Sequence, residues 1–238
     1  MQGQTLKADA RKLMMENAPK LFIITIIVIV ITTVMSELQF RLPGTSGAYS
    51  MLLEQLNAGE KPVLSMLYSN LRPAGAALAA LLWLARPVVE TGYVSYCLKT
   101  SRAEGGGYAT ILDGFLFFGK IILITLIKWV LIFLWSLLFL FPGISAYYMY
   151  SQAYYILLDD PEKGALQCVR ESKRLMKGKK LDLFLIDLSF IGWGLLDYAV
   201  MLFLPLPFSF PIVSVYLTPY LGLTHAMYYD RLVKTLVV

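Results

Sequence analysis

Leu21-Phe22-Ile23-Ile24-Thr25-Ile26-Ile27-Val28-Ile29-Val30-Ile31-Thr32-Thr33-Val34-Met35 runs for fifteen residues without a charge. Five further apolar runs follow, and the third of the six, Ile121 to Phe141, holds one lysine among Leu, Ile, Phe and Trp. A soluble domain has no need of several such runs. A hydrocarbon layer about 30 Å thick does, because it takes roughly 20 apolar residues to cross it as a helix. The pattern predicts an all-α, polytopic transmembrane helical bundle forming one integral membrane domain over residues 1–238, with spans near 20–36, 64–98, 115–141, 143–158, 181–204 and 208–229.

Composition agrees with that reading. Apolar residues make up 58% of the 238 and charged residues 16%, where a soluble domain carries about 25% charged residues. The net charge of +5 does not point to nucleic acid, because the basic residues flank apolar runs instead of gathering on a soluble module. There they would meet anionic lipid head groups. Cys97 and Cys168 have neither metal spacing nor a disulfide framework. The first run follows twenty mostly polar residues without a small-residue cleavage site, so it is expected to persist as the first span.

Orientation follows from Lys and Arg in the short connections. Lys7, Arg11, Lys12 and Lys20 precede the first span, Lys99, Arg102 and Lys120 follow the second, and seven cations from Lys163 to Lys180 follow the fourth. With Arg231 and Lys234 that makes sixteen on one side, against Arg41, Lys61 and Arg72 on the other. Both termini are therefore expected in the cytosol.

Three segments lie outside the spans. Residues 1–18 read as an amphipathic helix along the membrane surface, with Leu6, Ala10, Leu13 and Met14 on one face. Residues 37–62 read as an outer loop with a short helix around Ser50 to Asn57. Residues 160–178 read as a cytosolic amphipathic helix with Asp160 as N-cap, Pro161 first and Gly178 as the stop. Leu166, Cys168, Val169, Leu175 and Met176 form its apolar stripe. Arg170, Lys173, Arg174 and Lys177 form a basic one, facing lipid head groups or a docking partner.

Several blocks resemble a known family. They are Phe141-Pro142-Gly143-Ile144, Tyr150-Ser151-Gln152-Ala153, Leu158-Asp159-Asp160-Pro161, Ser172-Lys173-Arg174-Leu175-Met176-Lys177-Gly178 and Leu185 through Trp193. Upstream, Ser101-Arg102 and Asp113-Gly114-Phe115 are similar to the family's second cytosolic loop. The family is the bacterial six-helix membrane family catalogued as domain of unknown function 975 (DUF975), and the likeness is strongest over residues 90–200. It implies a multi-pass bacterial plasma-membrane protein and supplies no activity, ligand or catalytic residue.

Charges inside a span cost several kcal/mol unless paired or hydrated, which makes them functional candidates. Lys128 lies about 12 Å beyond Lys120 along its helix, Asp187 about 9 Å beyond Leu181, and Glu90 about 13 Å before Lys99, at 1.5 Å per residue. Lys128 is expected to pair with Asp187, Glu90 or both, with Arg86 meeting Glu90 as an (i, i+4) neighbour. Pro87 is expected to kink or divide the second span. Two readings of this polar layer stay open: a structural clamp, or a polar site for a small charged solute or a proton. His225, beside Tyr228, Tyr229 and Asp230, reads as an interfacial hydrogen-bonding group, and Asp197 as reaching the interface. Gly192 and Gly194 read as points of close helix packing.

No phosphate-cradling glycine loop, nucleophile elbow, acidic metal cluster or zinc spacing is present in the sequence, so neither catalysis nor a cofactor or metal is expected. Two functions remain. One is a small transporter, channel or transport subunit using the polar layer. The other is an accessory protein that binds lipids, a protein partner or a second copy through its basic cytosolic face.

Overall fold

The computed structural model describes residues 2–41, 73–203 and 213–237. Residues 37–41, expected to open the outer loop, instead continue the helix Ala18–Arg41; the rest of that loop with its short helix, the start of the second span, residue 204 of the fifth and residues 208–212 of the sixth lie outside the described residues. Among those residues every regular element is helical. They are α1 (Gln2–Glu16), α2 (Ala18–Arg41), α3 (Pro73–Ser101), a 3-10 turn (Tyr108–Leu112) leading into the single turn α4 (Asp113–Leu116), α5 (Phe118–Leu138), α6 (Leu140–Met149), α7 (Ala153–Asp159), α8 (Ala165–Leu175), α9 (Lys180–Leu188), α10 (Ile191–Phe203) and α11 (Ser214–Val237).

Among the described residues, three helices are long and apolar enough to cross a membrane: Ala18–Gln39, Ala77–Ser101 and Phe118–Leu138. Only 17% of the last is buried, and Trp129, Val130, Phe133 and Leu134 face outward. An apolar face of that size open to water is a liability for a soluble monomer, whereas acyl chains would cover it.

The chain divides into two compact units. Residues 1–29 with 88–238 form the first and residues 30–87 the second. In the second, Ser36 Oγ donates to Thr32 O at 2.9 Å and in turn accepts from Arg86 Nη1 at 3.4 Å. α3 stays helical through Pro87, so the proline does not divide it.

In the first unit, α1 packs on α11. Leu6, Ala10 and Met14, spaced by four, are fully buried. Each large side chain so buried is worth about 1.5–3 kcal/mol, so the apolar stripe of α1 is used within the protein. Thr25 interrupts the first apolar run because its hydroxyl, donating to Leu21 O at 2.8 Å, also shares a hydrogen bond with the Tyr93 hydroxyl at 2.9 Å.

α5 and α6 form a tight antiparallel hairpin. The reversal falls at Phe139, whose φ of −166° and ψ of 160° are extended, and Pro142-Gly143 belongs to the first turn of α6. A Cβ on Gly143 would stand 2.2 Å from Ser136 Oγ, so glycine permits the close approach. By contrast, nothing lies within 4 Å of where a Cβ would stand on Gly192 or Gly194. Among the described residues, neither glycine makes the close packing expected of it.

The fourth and fifth apolar runs are each divided. The fourth breaks at Tyr150-Ser151-Gln152, between α6 and α7, and the fifth at Ser189-Phe190, between α9 and α10. α8 is shorter than expected. It begins after an extended Gly164 with no side-chain cap, and Asp160 instead closes a turn, its carboxylate accepting from Glu162 N at 3.3 Å. Gly178, with φ of 76°, supplies the left-handed stop.

Candidate functional site

Freed backbone groups at the first break find a partner in α8. Ser172 Oγ accepts from Gln152 N at 3.1 Å and donates to Met149 O at 3.0 Å. Both Ser172 and Gln152 are buried. One hydroxyl thus bridges the gap where the helical ladder is interrupted, which is how a broken helix is tolerated inside protein. Cys168, Val169, Leu175 and Met176 are buried on the same face, while Leu166, assigned to that stripe, is exposed. Arg170, Lys173, Arg174 and Lys177 are exposed on the other face. Burial also pushes the Cys168 thiol above its ordinary value.

The predicted polar residues fall in two groups. In one, Lys128 Nζ on α5 stands 4.2 Å from the centroid of the Tyr154 ring on α7. The Tyr154 hydroxyl is 2.8 Å from Thr125 Oγ1, one turn back on α5. Glu90, on the part of α3 in the same unit, acts electrostatically on Lys128 and Tyr154. In the other group, Asp187 Oδ1 on α9 is 2.6 Å from His225 Nε2 on α11. Both side chains of this pair are about a quarter exposed. Tyr147 on α6 lies within electrostatic range of both Asp187 and Glu90. The two groups therefore share one tyrosine between them.

The partner of Asp187 is His225 and not Lys128. The hydrogen-bond partner of His225 is thus on another helix and not among its neighbours in sequence. Arg86 belongs to the second unit, where it reaches Ser36. Asp197 accepts from Val213 N at 3.0 Å, Ser214 N at 3.2 Å and Ser214 Oγ at 2.5 Å. Its carboxylate holds the first amides of α11, a capping role from a neighbouring helix.

One cluster has no counterpart in the sequence analysis. Arg102, just past α3, binds Asp159 at the end of α7 in bidentate fashion, at 2.6 and 3.1 Å. It also binds Asp230 on α11 through Nε and Nη2, at 2.9 and 2.7 Å. Ser101 Oγ adds a bond to Asp230 at 3.0 Å, and the Tyr229 hydroxyl one to Asp159 at 2.6 Å. The hydrogen bonds to Asp159, ahead of those to Asp230, hold the guanidinium above its ordinary value. Nearby, Asp113 accepts from Ser95 Oγ at 2.7 Å and Lys99 Nζ at 2.6 Å.

Fold and site together define the class: among the described residues the regular structure is all helical, with three helices of membrane-crossing length and hydropathy, compatible with a membrane protein. Residues 140–235 match the family described as "Protein of unknown function (DUF975)", so the resemblance carried by the blocks from Phe141 to Trp193 is shown over the C-terminal part of the chain. The matched region takes in Asp187, His225, Asp159 and Asp230, and leaves out Glu90, Arg102 and Lys128. No curated protein and no solved structure matches the chain.

Proposed function

We propose that this chain is a six-span plasma-membrane protein, with both termini in the cytosol, that moves a proton or a small charged solute through its polar layer. The observation that carries the reading is the Asp187–His225 pair. It is an ionisable couple on two apolar helices, next to the break at Ser189-Phe190, with Lys128 and Glu90 in the same unit. Intramembrane charges mark ion and proton pathways, and imidazole is the side chain whose charge changes within the physiological range. Broken helices are the usual site of such pathways. Each of the two divided runs still has the length for one crossing. Residues 140–159 and 180–203 would extend about 30 and 36 Å at 1.5 Å per residue.

The test is proton flux into sealed vesicles holding the purified protein and an internal pH indicator. The wild-type chain should dissipate an imposed gradient faster than protein-free vesicles. Asp187→Asn and Lys128→Met should abolish that excess at normal yields of folded protein. Equal flux in wild type and Asp187→Asn, or flux no faster than in empty vesicles, sinks the proposal.

A second reading rests on α8, whose exposed Arg170, Lys173, Arg174 and Lys177 form a cationic face opposite its buried one. That face suits an accessory protein bound to anionic lipid or to a protein partner.

A further inference from the structure

A groove of about 870 Å³ runs between the first turns of α1, the length of α9 and the last turns of α11. Four cations line it: Lys7, Lys179, Arg231 and Lys234. The single carboxylate in its wall is Asp182. Arg231 shares its charge with Asp9 at 3.0 Å, and Lys7 rests 4.3 Å from the centre of the Phe190 ring. Neither Lys179 nor Lys234 has an ion pair among the described residues. Leu185, Ile186 and Leu232 supply apolar surface in the same groove, and Leu185 is 52% exposed. The wall is fixed where the Tyr228 hydroxyl donates to Lys179 O at 2.9 Å.

An excess of cations beside the exposed Leu185, with the buried Ile186 and Leu232 behind it, suits a ligand that is anionic at one end and apolar at the other. A free phosphate would leave the aliphatic wall in water, and a neutral lipid would leave the cations without counter-charge. The volume suits one amphiphile, since ligand sites run to about 300–1,000 Å³. We infer that this groove seats the head group and upper acyl chains of an anionic glycerophospholipid, with Lys179 and Lys234 at its phosphate and Leu185 along its chains. Such a lipid belongs to the surroundings that the apolar faces of α2, α3 and α5 call for. The inference rests on the membrane reading of the fold and not on solute movement, so a chain that conducts nothing can still bind the lipid. It also differs from the basic face of α8, which lines no part of this groove.

The test is thermal unfolding of the full chain in neutral detergent, titrated separately with phosphatidylglycerol, with phosphatidylcholine of the same acyl chains, and with inorganic phosphate. Phosphatidylglycerol should raise the unfolding midpoint in a saturable way, and the other two should not. Lys179→Gln with Lys234→Gln should weaken the apparent affinity about thirtyfold, each cation near an anionic lipid surface being worth about 1 kcal/mol. Leu185→Trp, which fills the groove while leaving the charges, should also remove the shift. Arg170→Gln with Lys173→Gln should retain it. Equal shifts from both lipids, a shift from phosphate alone, an unchanged response in the Lys179/Lys234 variant, or no response at all would each overturn the assignment.

Discussion

Arg102 shows what one side chain can hold together. Its guanidinium presents donors in a planar fork, and the two carboxylates it binds come from Asp159 on α7 and Asp230 on α11, with Tyr229 and Ser101 each adding one further hydrogen bond. Tyr155 stacks on Tyr229 at 5.1 Å beside this knot. Lysine would bring a point charge without the fork, so it can serve one carboxylate well but not both. The side chains of Arg102, Asp159 and Asp230 are 30%, 25% and 17% exposed, so solvent screens the knot only in part. Arg102→Met should therefore cost about 2–3 kcal/mol, the range for hydrogen bonds to charged groups left without a partner, and Arg102→Lys should cost less. Denaturant unfolding in detergent measures both. The diagnostic result is rescue: Asp230→Asn should recover part of the Arg102→Met loss by removing one of two facing negative charges. Additive losses in the double variant would mean that the knot does not act as a unit.

At the scale of the element, helices and faces were legible and their interruptions were not. The four-residue spacing of Leu6, Ala10 and Met14 marks the buried side of α1, and the stripe around Val169 marks that of α8, because burial follows a local period. The break at residues 150–152 depends on Ser172, twenty residues or more along the chain, whose hydroxyl takes up the freed groups. No local pattern announces such a partner. Asp187 likewise meets His225 across 38 residues. A signal for that pair was available, since both lie a similar distance from the cytosolic ends expected for their helices. Glycines divide in the same way. A Cβ on Gly92 in α3 would stand 2.0 Å from Ile111 O, and one on Gly114 would stand 2.1 Å from Val88 O. The backbone of α3 thus touches that of residues 111–114, and a side chain at either point must drive them apart. Gly119 at the start of α5 has nothing within 4 Å. Gly92→Ala should lower stability by about 1–3 kcal/mol. Gly119→Ala should raise it by up to about 1 kcal/mol through helix propensity. Opposite shifts in unfolding midpoint are expected; a Gly92→Ala chain as stable as the wild type would mean that this backbone contact does not hold.

At the scale of the whole molecule, the distribution of charge predicts topology more sharply than helix length does. Among the described residues three helices have the length and hydropathy to cross a bilayer unaided, while sixteen of the nineteen cations in the connections or at the span ends fall on the side expected to be cytosolic. Lys12 on α1 and Glu162 in the turn before α8 are both exposed, and both belong to that side. The chain is well suited to a labelling test because its own thiols are quiet. Cys97 and Cys168 are 1% and 0% exposed, and burial pushes the Cys168 thiol above its ordinary value. Lys12→Cys and Glu162→Cys should therefore give strong single-site signals over a silent background. In intact cells an impermeant maleimide should leave both unlabelled, and after permeabilisation it should label both. A cysteine at Lys61, on the opposite side by the same charge count, should react in intact cells. Labelling of Lys12→Cys from outside would reverse the orientation. Labelling of Lys12→Cys and Glu162→Cys from opposite sides would require an odd number of crossings between them, and the six-span arrangement would fail with it.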